Sequence, residues 1–79
     1  MDQIVAVERE LLELGVPANM APDELRRLAK DVLWQALELR SAHALKQPLA
    51  HIQLTYEIPY NADDCERAAG AIWGMAHGA

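Results

Sequence analysis

The side chains able to do covalent or metal chemistry are few. The chain has one cysteine (Cys65), one serine (Ser41), one threonine (Thr55) and three histidines (His43, His51 and His77). Cys65 stands in Asp-Asp-Cys-Glu-Arg, where neighbouring acids raise a thiol pKa while a helix N-terminus lowers it. A cysteine nucleophile needs an oriented base, and no spacing here ties Cys65 to a histidine. The structural reading is a small buried residue at a helix start. Structural zinc sites cluster their ligands two to four residues apart, and none of these residues does. His43 falls in line with Leu25, Val32 and Leu39, as a hydrogen-bonded core or rim residue would. Ser41 lies in Arg-Ser-Ala, with no glycine-rich elbow, and no glycine-rich loop precedes a helix to cradle phosphate. The chain is thus expected to be no enzyme, with no cofactor and no metal.

A short, acidic, helical chain resembles acyl carrier proteins, but those need a modifiable serine in Asp-Ser-Leu. The helix hairpin is similar to a helix-turn-helix, though its turn is long and the chain acidic. A strand that pairs with its symmetry mate resembles ribbon–helix–helix repressors. Those run strand, helix, helix, and this order differs. The outward residues His51, Gln53, Thr55 and Glu57 also lack the bases of a groove reader.

The stronger signals concern association. Trp34 lies about 180° around its helix from Leu25, opposite the apolar stripe and among Arg27, Lys30, Glu38 and Ser41. Either a second layer of the chain covers it, or it anchors a partner, as Trp, Tyr and Arg do at interface hot spots. Arg27, Lys30 and Arg40 would rim such a surface. Tyr56 and Tyr60 pose the same alternative, because a tyrosine hydroxyl needs a partner or water.

Charge adds a second surface. The chain carries net charge −5 over 79 residues. Residues 1–20 hold four acids and one arginine, residues 21–48 four acids and five bases, and residues 49–79 four acids and one arginine. Acidic flanks therefore enclose a nearly neutral middle. That balance argues against direct nucleic-acid binding, which requires phosphate neutralisation. It suits a protein partner with a basic groove, met by Glu10, Glu13, Asp63 and Asp64. Nothing approaches the ~20 apolar residues of a membrane span, and no secretory signal is visible. A reducing cytoplasmic location is expected, in keeping with an unpaired thiol.

These residues need positioning by one small domain spanning 1–79, without a disulfide and without Phe. Ile4, Val7, Leu11 and Leu14 recur at helical spacing and predict a helix over 3–14. Gly15 stops it, Val16 supplies a capping contact and Pro17 blocks continuation. Pro22 opens a second helix whose face of Leu25, Leu28, Ala29, Val32, Leu33, Ala36 and Leu39 runs on to about Leu45, before Pro48. Residues 50–60, AHIQLTYEIPY, alternate apolar and polar and predict a strand over 51–58. A C-terminal helix then starts at a capping arrangement, either Asn61 with Asp64 or Asp63 with Glu66. Within that helix Gly70 and Gly74, with Gly78 beyond, line up at four-residue spacing, either for a close approach to the strand or simply as part of an alanine–glycine-rich composition. The expected fold is α+β, mostly α: helix hairpin, one strand, C-terminal helix. The strand would pair across a homodimer, with a partner, or with a short strand within 41–48.

The functional expectation is a small acidic non-enzymatic protein-binding module, an inhibitor or regulator of a larger complex, nucleic-acid-binding complexes included. In size and charge it is similar to phage-type inhibitors such as anti-CRISPR proteins, a likeness of class with no motif behind it. The alternatives are a homo-oligomeric structural or regulatory subunit, and a small Cys/His enzyme or metal protein.

Overall fold

The computed structural model describes residues 3–78, and those residues form four α-helices joined by short turns, with no strand among them. Helix α1 spans Gln3–Leu14, α2 Pro22–Glu38, α3 Lys46–Thr55 and α4 Ala62–His77. A single 3-10 turn, His43–Leu45, leads into α3. The α+β expectation is therefore corrected to an all-helical fold. With no strand over 51–58, there is no strand edge to pair across a dimer or with residues 41–48.

The α1 terminus follows its sequence signals. Val16 N–H donates to Leu11 O and Gly15 N–H to Leu12 O, both at 3.1 Å, the paired bonds of a Schellman stop. Gly15 has φ +120°, a conformation open to glycine and strained for other residues. Helix α4 starts as read: the Asn61 side chain accepts from Asp64 N–H at 3.1 Å.

The middle of the chain differs, for reasons visible in its residues. Leu45, Leu49 and Ile52 are buried and Tyr56 half-buried, a recurrence at four, three and four that is helical. The alternating reading needed Leu54 inside and Gln53 outside. Leu54 is instead 76% exposed and Gln53 only 1%. Pro48 is the third residue of α3, in the first turn, where a missing N–H costs no helical bond. It marks a helix start where a stop was expected. Helix α3 ends without glycine: Glu57 takes φ 58°, and Ile58 N–H closes on Gln53 O at 2.8 Å.

Helix α2 ends at Glu38, seven residues before Leu45, because Leu39 turns extended and Ser41 Oγ accepts from Ala44 N–H to start the 3-10 turn. The last carbonyls of α2 lack helical partners. Two are taken by α4, where His77 Nε2 donates to Ala36 O at 2.7 Å and Trp73 Nε1 to Leu39 O at 3.4 Å. The rings of Trp73 and His77 stack with centroids 4.3 Å apart.

The core is aliphatic, as the absence of Phe requires. Val7 and Leu11 of α1 meet Ala29, Val32 and Ala36 of α2 and Ala68, Ala69 and Ile72 of α4, while Leu45, Leu49 and Ile52 close the remaining side. Alanines at these positions let helices pack closely. Helix α1 runs antiparallel to α4, with Gln3 Nε2 donating to Met75 O at 2.7 Å. The glycine line plays no part in packing, since a Cβ added at Gly70 or Gly74 would meet nothing within 4 Å. Among the described residues, no helix is long and apolar enough to cross a membrane.

Candidate interaction surface

Trp34 points away from the core because Ala29, Val32 and Ala36 hold the opposite side of α2 inward. No second layer covers it, and it is 64% exposed. It borders a shallow concavity of about 340 Å³ shared with Ile4 of α1 and with Lys30, Leu33 and Leu37 of α2. Leu37 is 46% exposed, and Ile4 and Leu33 are half-buried. Lys30 and Arg27 are exposed one and two turns before Trp34, respectively. The result is an apolar anchor with a rim of mixed charge, since Asp31 and Glu38 are also exposed within one turn of Trp34, a composition that suits protein contact.

The acids predicted to meet a partner gather at the other end of the bundle. Glu10 and Glu13 lie on the C-terminal half of α1, Asp63 and Asp64 in the first turn of α4. Packing of α1 on α4 brings the two pairs around Arg67, which bonds Asp64 Oδ1 at 3.1 Å. Partial burial pushes the Glu10 carboxyl above the ordinary carboxylate value; Glu13 adds to this, and Arg67 and Arg9 oppose it. This pole and the Trp34 concavity are separate surfaces.

The tyrosines divide. Tyr56 packs half-buried on the core, whereas Tyr60 is exposed after α3 and lines a cleft with Leu39, His43, Lys46 and Ala50. His43 is thus an exposed residue of the 3-10 turn, off the apolar face of α2. His51 sits on a groove of about 610 Å³, which opens between α2 and α3 over Leu28, Val32, Pro48 and Ile52. Asp31, Gln35 and Gln47 complete its polar rim. The groove lies between two helices, α2 and α3, so a strand reading of 51–58 could not anticipate it.

Sequence reading also missed a buried polar cluster. Gln53 Oε1 accepts from Asn61 N–H at 3.2 Å and from the Cys65 thiol at 3.3 Å. The Asn61 amide can only donate, which fixes the oxygen of Gln53 there. Its Nε2 is buried and has no partner among the described residues. Burial, with Asp64 adding and Lys46 opposing, pushes the Cys65 thiol up. The thiol therefore stays protonated at neutral pH, bonded to an amide with no histidine against it. Of the three histidines, one ties α4 to α2 and the other two border different clefts. Among the described residues, no group of three or more His, Cys, Asp or Glu is placed to hold a metal ion.

No protein-family model, curated protein or solved structure matches this chain. The fold is that of a small four-helix globule, and the reading of its function rests on surface chemistry.

Proposed function

We propose that this chain is a non-enzymatic protein-binding module, an inhibitor or regulator that works by occupying a surface of a larger assembly. The observation that carries this reading is the exposure of Trp34 in an apolar concavity rimmed by Lys30 and Arg27. A large indole left in water forgoes about 2 kcal/mol or more of burial, which a partner surface would supply. The acidic pole of Glu10, Glu13, Asp63 and Asp64 adds long-range attraction to a basic groove, and net charge −5 sets its sign.

The test begins with copurification of native partners, followed by titration of each purified partner with variants. Trp34→Ala should weaken binding by about tenfold or more at unchanged helix content. Neutralising Glu10, Glu13, Asp63 and Asp64 together should slow association and flatten its salt dependence. Binding indifferent to Trp34→Ala would remove the anchor reading.

A further inference from the structure

We infer that the polypeptide seated on the Trp34 face is a second copy of this chain, paired antiparallel about a two-fold axis at Trp34. This deepens the reading of Trp34 as an anchor and rests on it. Along α2, Lys30 stands four residues before Trp34 and Glu38 four residues after, and all three are exposed. Neither Lys30 nor Glu38 has an ion-pair partner among the described residues.

Residues four apart form one ridge of a helix. Setting such ridges of two helices together is the commonest packing class, at an interaxial angle near −50°. A two-fold axis through Trp34 then brings Lys30 of each copy to Glu38 of the other. The two tryptophans and Leu37 fill the centre, so one ridge supplies both the apolar contact and two reciprocal charge pairs.

The wider charge pattern favours the same arrangement. Asp23, Arg27, Lys30, Asp31 and Glu38, all exposed on α2, mix signs on a molecule that is otherwise strongly acidic. A uniformly acidic or basic partner would meet a like charge at either Lys30 or Glu38, whereas a second copy sets each of the two against its opposite. Antiparallel pairing also points the acidic poles in opposite directions, which minimises repulsion between two chains of charge −5. The face is small. Helix α2 is about 25 Å long, and a crossing of that kind buries less than the ~800 Å² per partner of a standard interface. The dimer is therefore expected to form in the range of about 10–100 µM.

Sedimentation equilibrium of the full chain over about 1–500 µM tests this, spanning both sides of that range. The wild type should pass from monomer to dimer, and Trp34→Ala should stay monomeric with the same circular dichroism. Lys30→Glu and Glu38→Lys should each weaken the dimer about tenfold or more, because each reversal strikes two pairs. The double variant Lys30→Glu with Glu38→Lys should recover dimerisation, which a merely structural role for either residue would not produce. A monomer at every concentration overturns the inference, as does a dimer indifferent to Trp34→Ala or a double variant no better than the singles. Should a monomeric wild type still bind a foreign partner through Trp34, the anchor reading stands and only the second copy falls. If Trp34→Ala alters neither self-association nor partner binding, both fall.

Discussion

Gly15 and Glu57 hold equivalent places at the ends of α1 and α3, each with left-handed backbone and the same pair of closing hydrogen bonds. Their substitutions should act in opposite directions. Alanine at Gly15 would take on a strained φ of +120° and place its Cβ 2.8 Å from Ile58 Cγ2. Gly15→Ala should therefore lower stability by about 2 kcal/mol in urea unfolding. Glu57 is exposed and already bears the left-handed penalty, so Glu57→Gly should raise stability by up to about 1 kcal/mol after the entropic cost of glycine. A pH effect also belongs at this scale. Because the folded pKa of Glu10 is raised, the native state holds its proton more tightly than the unfolded chain. Glu10 thus costs stability above its folded pKa, and the cost disappears as pH falls below the unfolded value near 4.5. Glu10→Gln should raise the melting temperature at pH 7, with the gain vanishing by about pH 4. A gain that persisted in acid would exclude desolvation of the carboxylate as its cause.

At the scale of elements, α1 and α4 were readable because their stops and caps are written in strong residue types. Gly15 with Val16 ends α1, and Asn61 caps α4 through Asp64, each with its expected hydrogen bond. Helix α3 was not readable, because its signals are local exceptions. Its glycine-free terminus at Glu57 hides the end, and Pro48 resembles a stop when read from the N-terminal side. Its apolar residues alternate over 52–58 yet also recur at four, three and four over 45–56, so both periods are present. The residue that distinguishes the two periods is Gln53, a polar side chain whose burial depends on Asn61 and Cys65 contacts distant from it in sequence. The early end of α2 was hidden similarly, since its free carbonyls are met by Trp73 and His77 from the far end of the chain. The candidate surface fared differently. The position of Trp34 opposite the core stripe followed from helical arithmetic, but whether a second layer covers it was settled only by the packing, and the gathering of the acids at one end required the antiparallel packing of α1 on α4. The glycines of α4 supply a prediction here. Gly70 and Gly74 are exposed, helical and free of neighbours. Gly70→Ala and Gly74→Ala should each add about 0.5–1 kcal/mol, read as a later urea midpoint at unchanged slope. A loss of stability at either site would mean that the glycine meets a partner.

For the whole molecule, the decisive dimension is thickness. The Cα atoms span 31 × 26 × 16 Å, so the bundle is about two helices deep and every helix keeps a face in water. The interior is correspondingly thin, and no helix pair can bury its apolar stripe alone. The inner faces of α1 and α2 are covered by Ala68, Ala69 and Ile72 of α4, which also carries the carbonyl contacts of Trp73 and His77. A chain ending at Tyr60 should therefore show little helical circular dichroism, whereas the full chain unfolds in one cooperative transition. Native-like helix content in the shortened chain would contradict this. The bond from Gln3 to Met75 extends the point into the time of synthesis. Ribosomes add about 5–20 residues per second, so the 39 residues from Glu38 to His77 take roughly 2–8 seconds. For those seconds Val7, Leu11 and Val32 lack the α4 side chains that cover them, and the nascent chain exposes apolar surface until α4 arrives.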